Sequence, residues 1–122
     1  MRVMVLVKAT PDSEKGFTST PDTLAMMAAM GRFNDALRAA GVLVAADGLQ
    51  PTAHGKRLLF DGARRIEIDG PFTPAGDQVA GFWIWDVRDL EEAMAWARRC
   101  PNPMPGKSVI EVRPFHDLAN MS

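Results

Sequence analysis

The sequence predicts a single α+β domain in which two helices interrupt a series of strands. The chain has 122 residues, which is the usual length of one domain. Short apolar runs and period-2 alternation indicate strands, whereas apolar residues at helical spacing indicate two helices. The order along the chain is strand, helix, strand, β-hairpin, strand, helix, strand. Because no repeat, linker or low-complexity block separates these elements, the prediction treats residues 1–122 as one domain.

The first third of the chain contains a predicted central strand and the first helix. Met1–Ala9 is apolar and β-branched on both faces, which is typical of a strand buried on both sides. Thr10–Ser19 is polar and is expected to form a loop. Thr20 is placed as a helix N-cap ahead of Pro21 at the first helical position, and Gly41 ends the helix as a left-handed cap.

A β-hairpin is predicted in the middle of the chain. Val42–Ala46 is a short apolar run and indicates a second strand, which a loop over Asp47–Gly55 follows. Asp61-Gly62 separates Lys56–Phe60 from Ala63–Ile68. An Asp-Gly pair between two strand-like runs is a strong hairpin signal, so we expect these two runs to pair.

The last third contains one more strand, a helix and a final strand. Val79–Val87 is apolar and rich in aromatic residues, which indicates a buried strand. Asp89, with Glu92 three residues later, resembles a capping box and begins the second helix. The prolines from Pro101 onward end that helix. Lys107–Pro114 alternates between apolar and charged residues and is predicted to be the last strand.

The aromatic strand must be covered on both faces. Alternation sends Phe82 and Ile84 to one face and Trp83 and Trp85 to the other. Two helices of the predicted length cover one face of a small sheet, so the other face requires a further cover. A second copy of the chain is the simplest answer, which predicts a homodimer. The alternative is that Trp83 and Trp85 line a ligand cavity, and both interpretations hold if that cavity lies at the subunit interface.

Composition excludes several classes of protein. Lys and Arg number 14 and Asp and Glu number 15, so the formal net charge is −1. Without a basic excess to neutralise phosphates, no nucleic-acid partner is expected. No run of about 18 apolar residues occurs, so no membrane span is expected either. The single cysteine, Cys100, permits no intrachain disulfide and is interpreted as a structural thiol. We predict a cytoplasmic protein without a metal site or a cofactor.

The Asp69-Gly70-Pro71-Phe72 turn is the first candidate for a functional site. Its chemistry is open to two interpretations. In one, the turn is a tight exit from the hairpin, and Phe72 folds over the core. In the other, Asp69 lies at the lip of a pocket as a candidate catalytic acid or base, and Phe72 forms an aromatic wall. The local chemistry favours the first interpretation, because such turns are common, and only the resemblance of the motif to a protein family shifts our preference to the pocket.

Further candidates come from strand ends and loops. Lys8 and Asp47 lie near predicted strand ends, where they either project into a shared cleft or remain solvated. His54 lies in a loop and is either a general base or an exposed side chain. The predicted ligand-binding set is Lys8, Asp47, His54, Phe72 and Trp83.

Three stretches of the sequence together resemble the DGPF-domain proteins of the YCII-related family. They are residues 41–49 (GVLVAADGL), residues 69–72 (DGPF) with GFW at 81–83, and residues 93–105. The resemblance extends from residue 1 to about residue 114. It implies a ferredoxin-like α+β fold that pairs into a dimeric α/β barrel, here with an inserted β-hairpin. Some members of this mainly bacterial family occur beside alternative sigma factors, which hints at a regulatory role.

Two departures from the family pattern limit what the resemblance implies. Members often follow the DGPF motif with a small residue and then Glu, whereas this chain has Thr73 and Pro74, with Asp77 as a possible replacement. The wider group was proposed to be enzymatic because of a His and an Asp. When the first helix is aligned by Gly41, that His falls near Met30. A His–Asp chemistry is therefore not implied for this chain.

These observations predict a protein that binds an unidentified small metabolite in a pocket near a homodimer interface. An alternative is an enzyme that uses Asp69 or Asp47 as acid or base on a small polar or aromatic metabolite. A third interpretation is an interaction module linked to transcription regulation, which requires an exposed apolar patch outside the dimer interface.

Overall fold

The computed structural model describes residues 1–117 as an antiparallel sheet backed by helices, with a separate hairpin. The strands are β1 Arg2–Lys8, β2 Leu43–Gly48, β3 Lys56–Asp61, β4 Arg64–Asp69, β5 Val79–Asp86 and β6 Ile110–Pro114, and the helices are α1 Pro11–Glu14, α2 Pro21–Ala39 and α3 Leu90–Arg99. The predicted α+β class is confirmed. Within the described residues, no helix is both long and apolar enough to cross a membrane.

The four-stranded sheet has the order β2-β5-β1-β6, and each of its strand pairs is antiparallel. β1 pairs with β5 on one side and β6 on the other, so its predicted central position is confirmed. With the β3–β4 hairpin set aside, the remaining strands and the two long helices alternate as β-α-β-β-α-β. This arrangement is compatible with a ferredoxin-like fold.

The core lies on one face of this sheet, between the sheet and the two long helices. Trp83 and Trp85 of β5 are buried there, and Phe33 of α2 meets both of them edge-on. The ring centroids of Phe33 and Trp83 are 6.0 Å apart at an interplanar angle of 88°. From α3, Ala93 is fully buried in the same cluster. The tryptophan face of β5 is therefore the face that the helices cover.

The opposite face of the sheet is also apolar, but no helix packs on it in the described part of the chain. Its central side chains come from β1 and β5, and the register pairs them directly across the two strands. They are Met4, Leu6, Phe82 and Ile84. All four are half-buried, and none belongs to the core cluster or packs against it. The expectation that the helices leave one face of β5 without a cover therefore holds within residues 1–117.

Several elements differ from their predicted bounds, and β6, for example, begins at Ile110 instead of Lys107. α1 forms where a loop was expected, because Thr10 and Ser13 build a reciprocal capping box around Pro11 at the first helical position. β2 runs on to Gly48 instead of ending at Ala46. The cause is β5, which is long enough to pair with Asp47 and Gly48.

The hairpin forms as predicted, but its turn lies one residue further along. Asp61 pairs with Arg64, so the two-residue loop is Gly62-Ala63 and not Asp61-Gly62. Gly62 has a φ of +58°, whereas Ala63 does not have a positive φ. Positive φ at the first loop position alone is the type II′ pattern, which favours Gly there. The hairpin also exposes four large apolar side chains, which are Leu58, Leu59, Phe60 and Ile68.

The Asp69–Phe72 turn is tied to two other loops by hydrogen bonds. The backbone N–H of Phe72 donates to Thr52 Oγ1 at 2.9 Å, and the Thr52 hydroxyl in turn donates to Glu14 Oε2. The backbone N–H of Thr52 donates to Glu14 Oε1 at 3.1 Å. Gly70 lies against the Thr52 carbonyl so closely that a Cβ at position 70 would be 1.7 Å from the oxygen. The turn is therefore part of the packing between loops.

We predict that Gly62→Val destabilises the protein by about 1–2 kcal/mol, because a β-branched residue at positive φ is strained. Ala63→Val in the same loop is the matched control, since position 63 does not require positive φ. Urea unfolding at equilibrium measures both changes. Equal stability of the two variants would contradict the assigned turn.

We predict that Gly70→Ala destabilises the protein by at least about 1–3 kcal/mol, because the added Cβ forces the 51–55 loop to move. Gly76→Ala is the control, since a Cβ there meets no atom within 4 Å and Gly76 has no positive φ. Thermal unfolding compares the two variants. The close approach of Gly70 to Thr52 is refuted if Gly70→Ala melts no lower than Gly76→Ala.

Candidate functional site

A cavity of about 280 Å³ lies where the paired ends of β2 and β5 meet α2 and the segment at residues 101–105. Its walls are mainly apolar. The principal apolar side chains are Phe17, Met30, Ala46, Trp83, Pro103 and Met104. Besides Trp83, the lining residues with a hydrogen-bonding group in the side chain are Asn34 and Asp47. Apolar walls with few polar groups are typical of small-molecule sites, although this volume lies just below the usual range of about 300–1,000 Å³.

The pairing of β2 with β5 forms the side of the cavity that belongs to the sheet. Asp47 of β2 pairs with Phe82 of β5, and Ala46 pairs with Trp83. Gly81 keeps the two strands in close contact, because a Cβ there would be 3.0 Å from the Asp47 carbonyl oxygen. Asp47, which lies beyond the predicted end of β2, is therefore the only charged residue among those that line this cavity in the described structure.

The helix side of the cavity is set by α2. Met30 and Asn34 are four residues apart and lie one above the other on the same helix face. The indole Nε1–H of Trp83 donates a hydrogen bond to Asn34 Oδ1 at 2.7 Å. Because the indole N–H is only a donor, it must face the amide oxygen, and the amide NH₂ is the other end of the Asn34 side chain. This bond fixes α2 against β5 beside the cavity.

Loop residues close the remaining side. Phe17, which follows α1, is 48% exposed and lines the cavity as an accessible aromatic wall. Met104 is buried, and its sulfur accepts a hydrogen bond from the Thr10 hydroxyl at 3.5 Å. Phe17 and Met104 also line an adjoining cavity of about 230 Å³ next to the start of α2. The two cavities therefore share a wall.

Asp47 is exposed at this cavity. Its Oδ1 accepts a hydrogen bond from the Gly48 N–H at 3.1 Å, and its pairing with Phe82 puts its side chain on the open face of the sheet. No histidine, lysine or arginine lines this cavity. Asp47 therefore has no partner in the lining with which to form an acid–base pair.

The structure brings together only two of the predicted site residues, Asp47 and Trp83. Asp69 does not line this cavity, and its carboxylate lies 3.3 Å from Lys56 Nζ. The cause is the hairpin register, which makes Asp69 the cross-strand partner of Lys56 at the open end of the hairpin. Both side chains are exposed, so this ion pair contributes at most a small stabilisation.

The other three predicted ligand-binding residues also lie outside this cavity. Lys8 ends β1 next to an irregularity in the strand register, and His54 is exposed in a short 3₁₀ turn at Thr52–His54. Phe72 is half-buried beneath the guanidinium group of Arg57, whose Cζ is 3.8 Å from the ring centroid. None of these positions was determined by local sequence alone, because each depends on how the loops pack.

Several lining residues were missed by the sequence analysis. Phe17 fell in a predicted loop, and Pro103 and Met104 counted only as the end of a helix. Met30 was expected only as an apolar position of the first helix, and Asn34 was not singled out. One signal was available for Met30, since it lies near the position where the wider family group carries its histidine.

Neither Cys100 nor a cluster of metal-ligating side chains provides a further reactive centre among residues 1–117. Burial raises the pKa of the Cys100 thiol to about 11, and its Sγ donates to the Pro101 carbonyl at 3.2 Å. The thiol is therefore protonated at neutral pH, in agreement with its interpretation as a structural residue. Among residues 1–117, no group of three or more His, Cys, Asp or Glu side chains could hold a metal ion.

Comparisons with known proteins agree with the fold and the motifs. The chain is 36% identical over 76 residues to an uncharacterized protein of Rhizobium meliloti (strain 1021), and the match covers 62% of this chain. The chain matches about three fifths (61%) of that relative's length. The family model of the YCII-related domain matches residues 1–116. The chain therefore belongs to the YCII-related family.

Proposed function

We propose that this YCII-related protein binds a small molecule in the cavity beside Trp83. The observation that carries the proposal is the cavity itself, which combines apolar and aromatic walls with the polar residues Asn34 and Asp47. An apolar pocket with a few convergent polar groups is the usual form of a ligand site. The small volume suits a compact metabolite rather than an extended chain.

Binding is favoured over acid–base catalysis by the same lining. A general base or acid acts with a correctly placed partner or on a proton held within hydrogen-bond distance. Asp47 lines the cavity without a histidine, lysine or arginine, and Asp69 lies at the end of the hairpin instead. Met30 occupies the wall near which the wider group has its histidine, and a thioether cannot transfer a proton.

The proposal includes a second copy of the chain as partner. The open sheet face around Phe82 and Ile84 is apolar, and two such faces are self-complementary when related by a two-fold axis. A pair of sheets packed in this way forms the dimeric α/β barrel that the family resemblance implies, with a ferredoxin-like domain on each side. The cavity beside Trp83 lies on the helix-covered side and stays accessible in this dimer.

We predict that small metabolites which bind the cavity raise the melting temperature of the protein, since a ligand at 100 times its Kd stabilises the native state by about 2.7 kcal/mol. Ala46→Phe fills the cavity from an exposed position on β2 and should abolish the shift. Asp69→Asn is the control and should leave the shift unchanged. A thermal-shift screen of single aromatic and aliphatic metabolites measures all three proteins.

The binding proposal fails if no compound of the screen shifts the wild-type protein. It also fails if active compounds shift Ala46→Phe as much as the wild type, because the bound site would then lie elsewhere.

We predict that the wild-type protein sediments with twice the 13.3 kDa chain mass at micromolar concentration. Ile84→Lys should convert it to a monomer, because a standard interface buries about 1,200–2,000 Å² and a central lysine would lose its hydration there. Met27→Lys on the exposed side of α2 is the control. Analytical ultracentrifugation separates the two states.

A third variant, Leu59→Glu, tests the exposed hairpin as the competing surface. A dimer that dissociates in Leu59→Glu but persists in Ile84→Lys would place the interface on the hairpin and overturn the sheet-to-sheet arrangement.

A further inference from the structure

We propose that the cavity beside Trp83 selects a compact, uncharged carbonyl compound, whose oxygen accepts a hydrogen bond from the Asn34 amide. This inference rests on the proposed binding function and adds the chemical class of the ligand. It follows from three features of the cavity, which are the orientation of the Asn34 amide, the charges of the lining and the apolar side chains around the amide.

The Asn34 side chain has a fixed orientation. The Trp83 indole N–H donates to its Oδ1 at 2.7 Å, and Trp83 is buried, with 4% of its surface exposed. The amide oxygen is therefore directed toward the core, and the NH₂ group is the other end of the amide. Asn34 is half-buried and lines this cavity together with Met30 from the same helix face. The NH₂ group is thus the end of the side chain that remains for the cavity.

The NH₂ group of Asn34 is a donor without an acceptor among residues 1–117. The hydrogen bond that Asn34 forms there is the one to its oxygen. Within the same residues, the only side-chain nitrogen or oxygen that is both fully buried and unpaired is Trp85 Nε1, so Asn34 Nδ2 is accessible. An amide NH₂ group has two N–H donors and no acceptor. A ligand group in front of it gains a hydrogen bond only if that group accepts one.

The charged residue of the lining directs its side chain away from Asn34. Asp47 is the only charged residue that lines this cavity in the described part of the chain, and its pairing with Phe82 puts its carboxylate on the open face of the sheet. Asp22 lines the adjoining cavity instead. An ammonium ligand would meet an N–H donor here, and a carboxylate ligand would lose its hydration without a cation to replace it. Both kinds of ion are therefore disfavoured relative to a neutral ligand.

The remaining walls favour an apolar ligand body. Met30, Pro103, Met104 and the exposed ring of Phe17 line the cavity around the amide. The volume of about 280 Å³ suits a body with a single ring, since an apolar cavity of about 150 Å³ already holds benzene. A carbonyl oxygen adds two acceptor lone pairs to such a body without adding charge. The ligand class that matches the amide and the walls together is therefore an uncharged carbonyl compound.

Four compounds with the same ring and different head groups provide the test. Acetophenone has a carbonyl group, α-methylstyrene has a CH₂ group in place of that oxygen, 1-phenylethylamine is a cation at pH 7, and benzoate is an anion. Isothermal titration of the full-length protein at pH 7 gives the Kd for each. We expect acetophenone to bind at least about fivefold more tightly than 1-phenylethylamine or benzoate, because each ion leaves a donor or its own charge unpaired in the cavity.

Asn34→Asp replaces the NH₂ group by an oxygen and keeps the oxygen that accepts the Trp83 indole N–H. Acetophenone then faces an acceptor, so its affinity relative to that of α-methylstyrene should fall at least about fivefold. 1-Phenylethylamine should bind this variant more tightly than the wild type, because its ammonium group now meets a carboxylate. Met27→Glu adds the same charge at an exposed position of α2 outside the lining, and it should leave all four affinities unchanged.

The outcomes separate this inference from the proposed function. If benzoate or 1-phenylethylamine binds the wild type as tightly as acetophenone does, the selection of an uncharged ligand is wrong, whether or not Asn34→Asp folds. An unchanged ratio of the acetophenone and α-methylstyrene affinities in Asn34→Asp overturns the role of the amide and leaves a binding cavity. If none of the four compounds binds, the carbonyl inference is wrong, and the wider metabolite screen then decides the binding function by itself. Binding that is unaffected by Ala46→Phe rejects the cavity as the binding site.

Discussion

The structure depends on the packing of two tryptophans of β5 against one phenylalanine of α2. Phe33 meets Trp83 and Trp85 edge-on, with ring centroids 6.0 Å and 6.2 Å away. Each aromatic pair of this kind contributes about 0.5–1.5 kcal/mol beyond the area it buries. The hydrogen bond from Trp83 to Asn34 then fixes the rotation and the position of α2 along the strand. Trp85 is fully buried, and its Nε1–H has no hydrogen-bond partner within residues 1–117, so the packing of its ring must compensate for this unpaired donor.

This packing determines both of the surfaces on which the proposed function relies. Because the tryptophans face the helices, alternation sends Phe82 and Ile84 to the other side of the sheet. That side is where we propose that a second copy of the chain packs. Trp83 lines the cavity on the helix-covered side of the sheet, next to its register partner Ala46. The proposed binding site and the proposed dimer surface are thus on opposite sides of one strand.

The sequence was most informative where a pattern is local. Alternation predicted the strands, and the caps at Thr20 and Asp89 predicted the starts of the two long helices. The short α1 was missed because Pro11 in a polar segment also fits a loop. Asp47 was identified as a charged residue near a strand end and Trp83 from the alternation of the aromatic strand, and the pairing of β2 with β5 then brings the two residues to one cavity. Asp69 was placed at a pocket, but the hairpin register pairs it with Lys56, and no local pattern reveals that register to within one residue. Phe17 and Met104 come from loops that meet only in the folded chain.

The three tryptophan side chains allow one direct measurement of the central claim, that the cavity beside Trp83 binds a small molecule. Trp83 lines the cavity, Trp85 is buried in the core, and Trp96 lies on α3, stacked under Arg99 with the guanidinium carbon 4.3 Å from its ring centroid. Each indole N–H gives its own cross-peak in a ¹⁵N–¹H correlation spectrum, and substitution by Phe assigns it. On titration with a compound that raises the melting temperature of the protein, the Trp83 cross-peak should shift saturably, while the Trp96 cross-peak stays in place. A shift of the Trp96 cross-peak alone, or no shift of the Trp83 cross-peak at a saturating concentration of the compound, would contradict the account.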